Sequence, residues 1–247
     1  MAFMHAVEIA YGDDRFGCGI VHLPMKLIQA TDLVDIQVAA DAAGIRLRSD
    51  LIYADAGHPL NQTFAEAIYS PNAKMWMHKD LAEIVLLAAG RANAEGFRFV
   101  LTDCLRTTDA QQRMAETKIV QANPHWTAPG PGMLLSPPGF GAHPRAMAVD
   151  ILLEDREGNA IDMGTALDHF STDPNDNPAA RDYPFPPNIL ANRKLLEGLM
   201  TGAANDLGKV IVPLASEWWD FRFPADVYEQ YAPLSDSDLP DHMKMCA

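Results

Sequence analysis

The spacing of apolar positions marks out two helices. Leu81, Ile84, Val85, Ala88 and Ala92 recur at helical intervals inside Lys79 to Glu95, and Gly96 supplies a stop. Leu190, Leu195, Leu196, Leu199 and Met200 do the same across Asn188 to Leu207, with Gly208 at the end. Thr107 or Thr108 can cap a further helix with Met114 and Ile119 on its inner side. Phe97 to Thr102 alternates as a strand does, and Met147 to Leu153 is an apolar run of buried-strand length. Asp155 to Asn159 predicts a hairpin turn using Gly158, and Lys209 to Pro213 and Glu217 to Phe223 predict two short strands. Val34 to Ala43 fits helix and strand equally well.

Two stretches carry no periodicity. Asn123 to Gly141 is a long Pro- and Gly-rich loop, and Ser171 to Pro187 is full of Asp, Asn and Pro. Loops this long in a compact domain are usually functional. The polar tail, 233–247, is expected to be poorly ordered. Residues 1–50 read as an N-terminal extension. Helices mixed with hairpin-like strand pairs predict an α+β fold, a small antiparallel sheet with flanking helices. With no linker or internal repeat, one domain over 1–247 is expected.

A 48% hydrophobic content over 247 residues is enough for one good core. The formal net charge of -14 repels phosphate backbones and anionic surfaces, so neither nucleic acid nor a membrane is an expected partner. No stretch approaches the ~18 apolar residues of a membrane span. Met1 to Ala10 has no basic segment followed by an apolar one, so a cytoplasmic location without a signal peptide is expected. Cys18, Cys104 and Cys246 are odd in number and scattered, which argues against a disulfide framework.

A few polar residues break the apolar pattern. Asp150 sits inside an otherwise buried strand, where a carboxylate is costly unless paired or bound to a metal. His143 precedes it by seven residues, where the long loop enters the strand. Downstream, Glu217 and Asp220 flank Trp218 and Trp219. A mononuclear hydrolytic site needs about three protein ligands, an open position and a nearby base. His143, Asp150 and Asp220 can supply the ligands and Glu217 the base. The three-residue spacing of Glu217 and Asp220 puts them on opposite faces of a regular strand, so a bulge or twist is required. The plainer alternatives are an arginine partner for Asp150, and Glu217 and Asp220 facing water over a tryptophan core.

Taken together, these segments resemble the D-alanyl-D-alanine dipeptidases, zinc metallopeptidases that share a fold with lysostaphin and the hedgehog signalling domain. The family's Ser-x-His-x-x-Gly-x-Ala-x-Asp stands here as Gly141-Ala142-His143-Pro144-Arg145-Ala146-Met147-Ala148-Val149-Asp150, with its Ser and Gly replaced. Its Glu-Trp-Trp-His stands as Glu217-Trp218-Trp219-Asp220. Asp162 to Asp168, the Asn192-Arg193 helix, Asp103-Cys104-Leu105-Arg106, Tyr53-Ala54 and Asn61 to Tyr69 resemble further family segments, so the likeness runs from about Leu51 to Phe223.

The resemblance implies hydrolysis of D-Ala-D-Ala or a related small D,D-dipeptide. His143, Asp150 and Asp220 would hold one zinc per chain, and Glu217 would act as general base. Arg106 would stabilise the oxyanion, oriented by Asp103. Asp168 would pair with the substrate ammonium, and Tyr53 and Tyr69 would line the pocket. Glycine at 141 removes the family's pocket serine. Aspartate at 220 makes manganese or iron(II) more competitive with zinc, unless His125 or His169 completes the site. The rival expectations are a peptidoglycan-stem carboxypeptidase of the same fold and a non-catalytic binding module.

Overall fold

The computed structural model describes residues 24–130, 133–173 and 175–246. Cys18 and the stretch Met1 to Ala10 lie outside the described residues. The expected α+β architecture is present. Its centre is a five-stranded sheet in the order β2 (Leu47–Ser49), β4 (Arg98–Asp103), β5 (Ala148–Glu154), β7 (Asp220–Arg222) and β6 (Val212–Pro213). All neighbours are antiparallel except the β2–β4 pair, which is parallel. A second, two-stranded antiparallel sheet joins β1 (Leu33–Asp35) to β3 (Trp76–His78).

Both periodic segments are helices. The first, α2 (Lys79–Glu95), buries the whole predicted stripe from Leu81 to Ala92. It packs against β4 and against α5 (Pro187–Asp206), which buries Leu196, Leu199 and Met200. The ambiguous segment is both things at once: β1 runs directly into α1 (Ile36–Ala42), with the Asp35 carboxylate accepting from the Val38 amide as an N-cap. The Thr107 hydroxyl caps α3 (Thr108–Glu116), and a break at Thr117 starts α4 (Lys118–Ala122), so Met114 and Ile119 fall on different helices.

Two boundaries are corrected. Residues 30–50 are no extension: β2 is an edge of the main sheet, and Leu33, Ile36, Ala40 and Leu47 are in the core. The tail packs as well. Leu234, Leu239, Met243 and Met245 are buried, and the Asp236 carboxylate accepts from the amides of Met245 and Cys246. Its apolar residues are too widely spaced to read as an element, but each fills a place in the core. Among the described residues no helix is long and apolar enough to cross a membrane. Cys104 and Cys246 are free thiols.

The irregular regions are pinned by arginines. Arg193 on α5 donates to the carbonyls of Met163, Pro178 and Ala180. Arg181 donates to the carbonyls of Leu214 and Asp220 and stacks on Phe221, which fixes the approach to β7 from outside the sheet. Gly164 is placed where any Cβ would come within 2.9 Å of Ile189 and 3.0 Å of Phe185, so only glycine allows that turn to lie against α5.

Candidate active site

Strand register brings three carboxylates into a row. Leu101 pairs with Ile151, but the next pairing is Asp103 with Asp150, so Thr102 is an extra residue in β4. Such a bulge re-aims the side chains beyond it. On the other side of β5, Asp150 pairs with Asp220 of β7. Asp103, Asp150 and Asp220 therefore lie side by side on β4, β5 and β7, all buried. The short helical turn His143–Arg145 drops His143 onto the row. Ala146, at the family's glycine position, ends that turn in the left-handed region with φ 54°.

The three carboxylates are satisfied to very different degrees. Asp103 is saturated: Oδ1 accepts from the Tyr69 hydroxyl at 2.6 Å and the Cys104 amide at 2.8 Å, and Oδ2 accepts from Arg106 Nε at 2.8 Å and Nη2 at 2.6 Å. Asp220 is held in a fork by Arg222, with Nε donating to Oδ1 at 2.7 Å and Nη2 to Oδ2. Burial opposes ionisation of Asp220, yet the Arg222 guanidinium outweighs it and holds the carboxyl well below the usual range. Asp150 has neither arrangement. Its Oδ1 is buried without a hydrogen-bond partner among the described residues, and its Oδ2 is 3.7 Å from Arg106 Nη2.

His143 is set to face that orphaned oxygen. Its Nδ1 lies 2.8 Å from the Cys104 carbonyl, which fixes the Nδ1–H tautomer when the ring is neutral and leaves Nε2 free. Nε2 is 3.6 Å from Asp150 Oδ1 and 3.2 Å from Asp220 Oδ2. Donors about 2.0–2.1 Å from a tetrahedral zinc are separated by ~3.3 Å, so each of these two spacings is near that of a pair of ligands to one ion. Burial and Arg106 work against protonation of His143, but Asp150 and Asp220 more than compensate and raise it to about 10. An ion in this place competes with a proton for Nε2. Among the described residues, the acidic and imidazole groups whose ligand atoms all lie within 4.8 Å of one another are Asp103, His143 and Asp150. All of Asp103's acceptor capacity is committed elsewhere, which makes it a poor third ligand.

These groups open into a cavity of about 110 Å³ walled by Tyr53, Arg106, His143, Asp150, Asp168, Glu217, Asp220 and Arg222. Glu217 precedes β7 in a turn and is outside the strand, so the face alternation that separates it from Asp220 in a regular strand does not apply. Trp218 and Trp219 behind it are buried edge to face, and Trp218 Nε1 donates to the Thr165 hydroxyl. Burial, then the neighbouring charge of Asp220, pushes the Glu217 carboxyl up to about 8, with Arg222 partly offsetting them. Asp168 is buried at the opposite wall with φ 52° and accepts from the Tyr53 hydroxyl. Burial and the charge of Asp150 raise it to about 7, against the lowering effect of the Tyr53 bond.

The expectation that Tyr69 lines the pocket is corrected, and Asp103, expected to orient Arg106, reaches the pocket only through that arginine. Neither is in the wall; the bulge turns Asp103 behind Arg106, and Tyr69 is behind Asp103. His125 and His169 are also absent from the wall, so neither completes the site. Two residues were missed. Arg222 lies two residues beyond Asp220, on the same strand face, a spacing that could have flagged it. Ser136 lies in the aperiodic loop, which gave no such signal. Its Oγ is 3.0 Å from where a Cβ on Gly141 would stand, so the loop returns a hydroxyl to the space left by the missing serine. Gln111 of α3 anchors that loop, donating to the Phe140 carbonyl and accepting from the Gly139 amide.

Comparison with known proteins agrees with this geometry. A family model described as D-ala-D-ala dipeptidase matches residues 30–237. The D-alanyl-D-alanine dipeptidase of Escherichia coli (strain K12) is 29% identical over 195 residues, which is 78% of this chain and 86% of that protein.

Proposed function

The chain belongs to the D-Ala-D-Ala dipeptidase family of peptidases, and from that premise we propose that it hydrolyses D-alanyl-D-alanine or a related D,D-dipeptide at a single divalent-metal site. The observation that carries the reading is the orphaned Asp150 Oδ1 facing His143 Nε2. A buried acceptor without a donor is expensive in a finished structure and is what a ligand oxygen looks like without its cation. His143, Asp150 and Asp220 would hold the ion, with zinc, manganese and iron(II) all compatible with two oxygen donors and one nitrogen. When bound, the ion supplies Lewis acidity at the scissile carbonyl and makes water acidic enough to attack near neutral pH.

The remaining work falls to side chains of the pocket wall. Glu217, with its carboxyl near 8, takes the proton of the attacking water and returns it to the leaving nitrogen, which needs a group of intermediate acidity. Arg106, locked by Asp103, offers a fixed cation to the oxygen that gains charge, worth on the order of 3 kcal/mol for one good donor. Asp168 is the acidic group for the free ammonium and makes the site read a chain end. The cavity of about 110 Å³ is well below the ~300 Å³ where drug-sized sites begin. That favours a dipeptide over a peptidoglycan stem. A pure binding module has no use for a base with a raised pKa beside an oxyanion cation.

The test is a substrate panel with zinc or manganese: D-Ala-D-Ala, L-Ala-L-Ala and a peptidoglycan pentapeptide, followed by released alanine. Turnover is expected for the D,D-dipeptide alone, reduced by roughly 10³ in Glu217→Ala. Pentapeptide turnover favours the carboxypeptidase, and no turnover with either ion overturns the hydrolase reading.

A further inference from the structure

Asp220 stands where the resemblance implies a histidine, and the exchange alone would add a negative charge to the ligand set. The structure supplies a cation with it. Arg222 folds back along β7 and engages both oxygens of Asp220, and its side chain is 16% exposed against 0% for Asp220. Two fork contacts do not exhaust a carboxylate, which has about four lone-pair sites. Oδ2 keeps one toward His143 Nε2, 3.2 Å away.

We propose that Asp220 and Arg222 work as one neutral ligand unit that replaces a neutral imidazole. The proposal rests on reading the site as a divalent-metal site. With Arg222 included, His143, Asp150 and Asp220 carry a net charge of about -1, the same as two imidazoles and one carboxylate. Arg222 cancels the excess charge of Asp220, and its fork leaves Oδ2 facing His143 Nε2. The donor atom has changed while the charge that acidifies water near the ion has been kept.

A double-mutant cycle at positions 220 and 222 tests this, read as dissociation constants for zinc and for manganese by chelator competition on metal-free protein. A thermal melt of each variant confirms that it is folded. Arg222→Gln removes a cation beside a dication and is expected to tighten both ions by on the order of tenfold or more. Arg222→Lys keeps the charge but loses the fork, and its affinity is expected to lie closer to the parent than that of Arg222→Gln. Asp220→His, although it restores the family ligand, leaves the guanidinium unpaired beside the ion and is expected to weaken binding. Asp220→His with Arg222→Gln is expected to recover it. Unchanged or weaker affinity in folded Arg222→Gln, or tighter binding by Asp220→His whatever stands at 222, overturns the proposal. If neither the parent nor any variant binds either ion, the metal reading itself falls.

Discussion

Strand β5 carries two carboxylates on one face, four residues apart, and they have opposite fates. Glu154 accepts from Arg48 Nη2 at 2.9 Å, from Arg98 Nε at 3.0 Å and from Arg98 Nη2, and it is a closed ion-pair cluster. Asp150, at the other end, has an oxygen with no donor among the described residues and a histidine and an arginine held just beyond hydrogen-bond reach. Both are buried, at 8% and 2% exposure. Burial of an acid is thus no sign of function by itself. The sign is an unsatisfied carboxylate oxygen aimed at a histidine nitrogen: a buried acid without a donor costs more than a neutral amide such as Asn61, whose Oδ1 is also unpaired among the described residues.

The strongest way to break this contrast is to neutralise an acid at each end. Glu217 stands at the Asp150 end, and no side-chain partner holds it among the described residues. Its carboxyl is raised from 4.5 to about 8, so the fold disfavours its charge. That cost is absent below pH ~4.5 and grows as pH rises to about 8. Glu217→Gln should therefore lose activity by roughly 10³ while the metal-free protein gains on the order of 2–4 kcal/mol at pH 8–9 and nothing at pH 4. Thermal melts across pH check it; equal stability at all pH values would mean that the charge is already satisfied. Glu154→Gln should do the reverse. It leaves the half-exposed Arg98 without its carboxylate, whereas Arg48 keeps Asp50, so it should cost about 1 kcal/mol, lowering Tm by a few degrees, while activity per folded molecule stays unchanged.

The same contrast explains what could be read in the sequence. The strand around Asp150 was legible because a lone acid interrupts an apolar run, and α2 and α5 because their stripes are long. The triad's residue types were legible from Asp150, His143 and the Glu217–Asp220 run. Their convergence was not, because it depends on the Thr102 bulge and on register across β4, β5 and β7. Glu217's exit from the strand was invisible for a related reason: Arg181, 39 residues before Asp220, fixes the chain there through backbone carbonyls. Tertiary hydrogen bonds leave no period. Ser136 belongs to the same class, since only the folded loop brings it to Gly141.

Asp168 lies between the two extremes and gives the finest test. Among the described residues it has one side-chain donor, the Tyr53 hydroxyl, and its carboxyl is raised to about 7 by burial and Asp150 despite that bond. Tyr53→Phe removes the donor and moves Asp168 toward the unsatisfied end of the scale. The hydroxyl favours the charged carboxylate, so its loss raises the pKa further, and less Asp168 is ionised at neutral pH to meet an ammonium. The acid limb of kcat/KM should move up by about half to one pH unit, a several-fold loss near pH 6–7 that fades by pH 9. A bound cation beside Asp150 lowers the starting value in parent and variant alike, so the direction of the difference survives it. A limb that stays put or moves down on Tyr53→Phe would place the titration on another group and remove Asp168 from ammonium recognition.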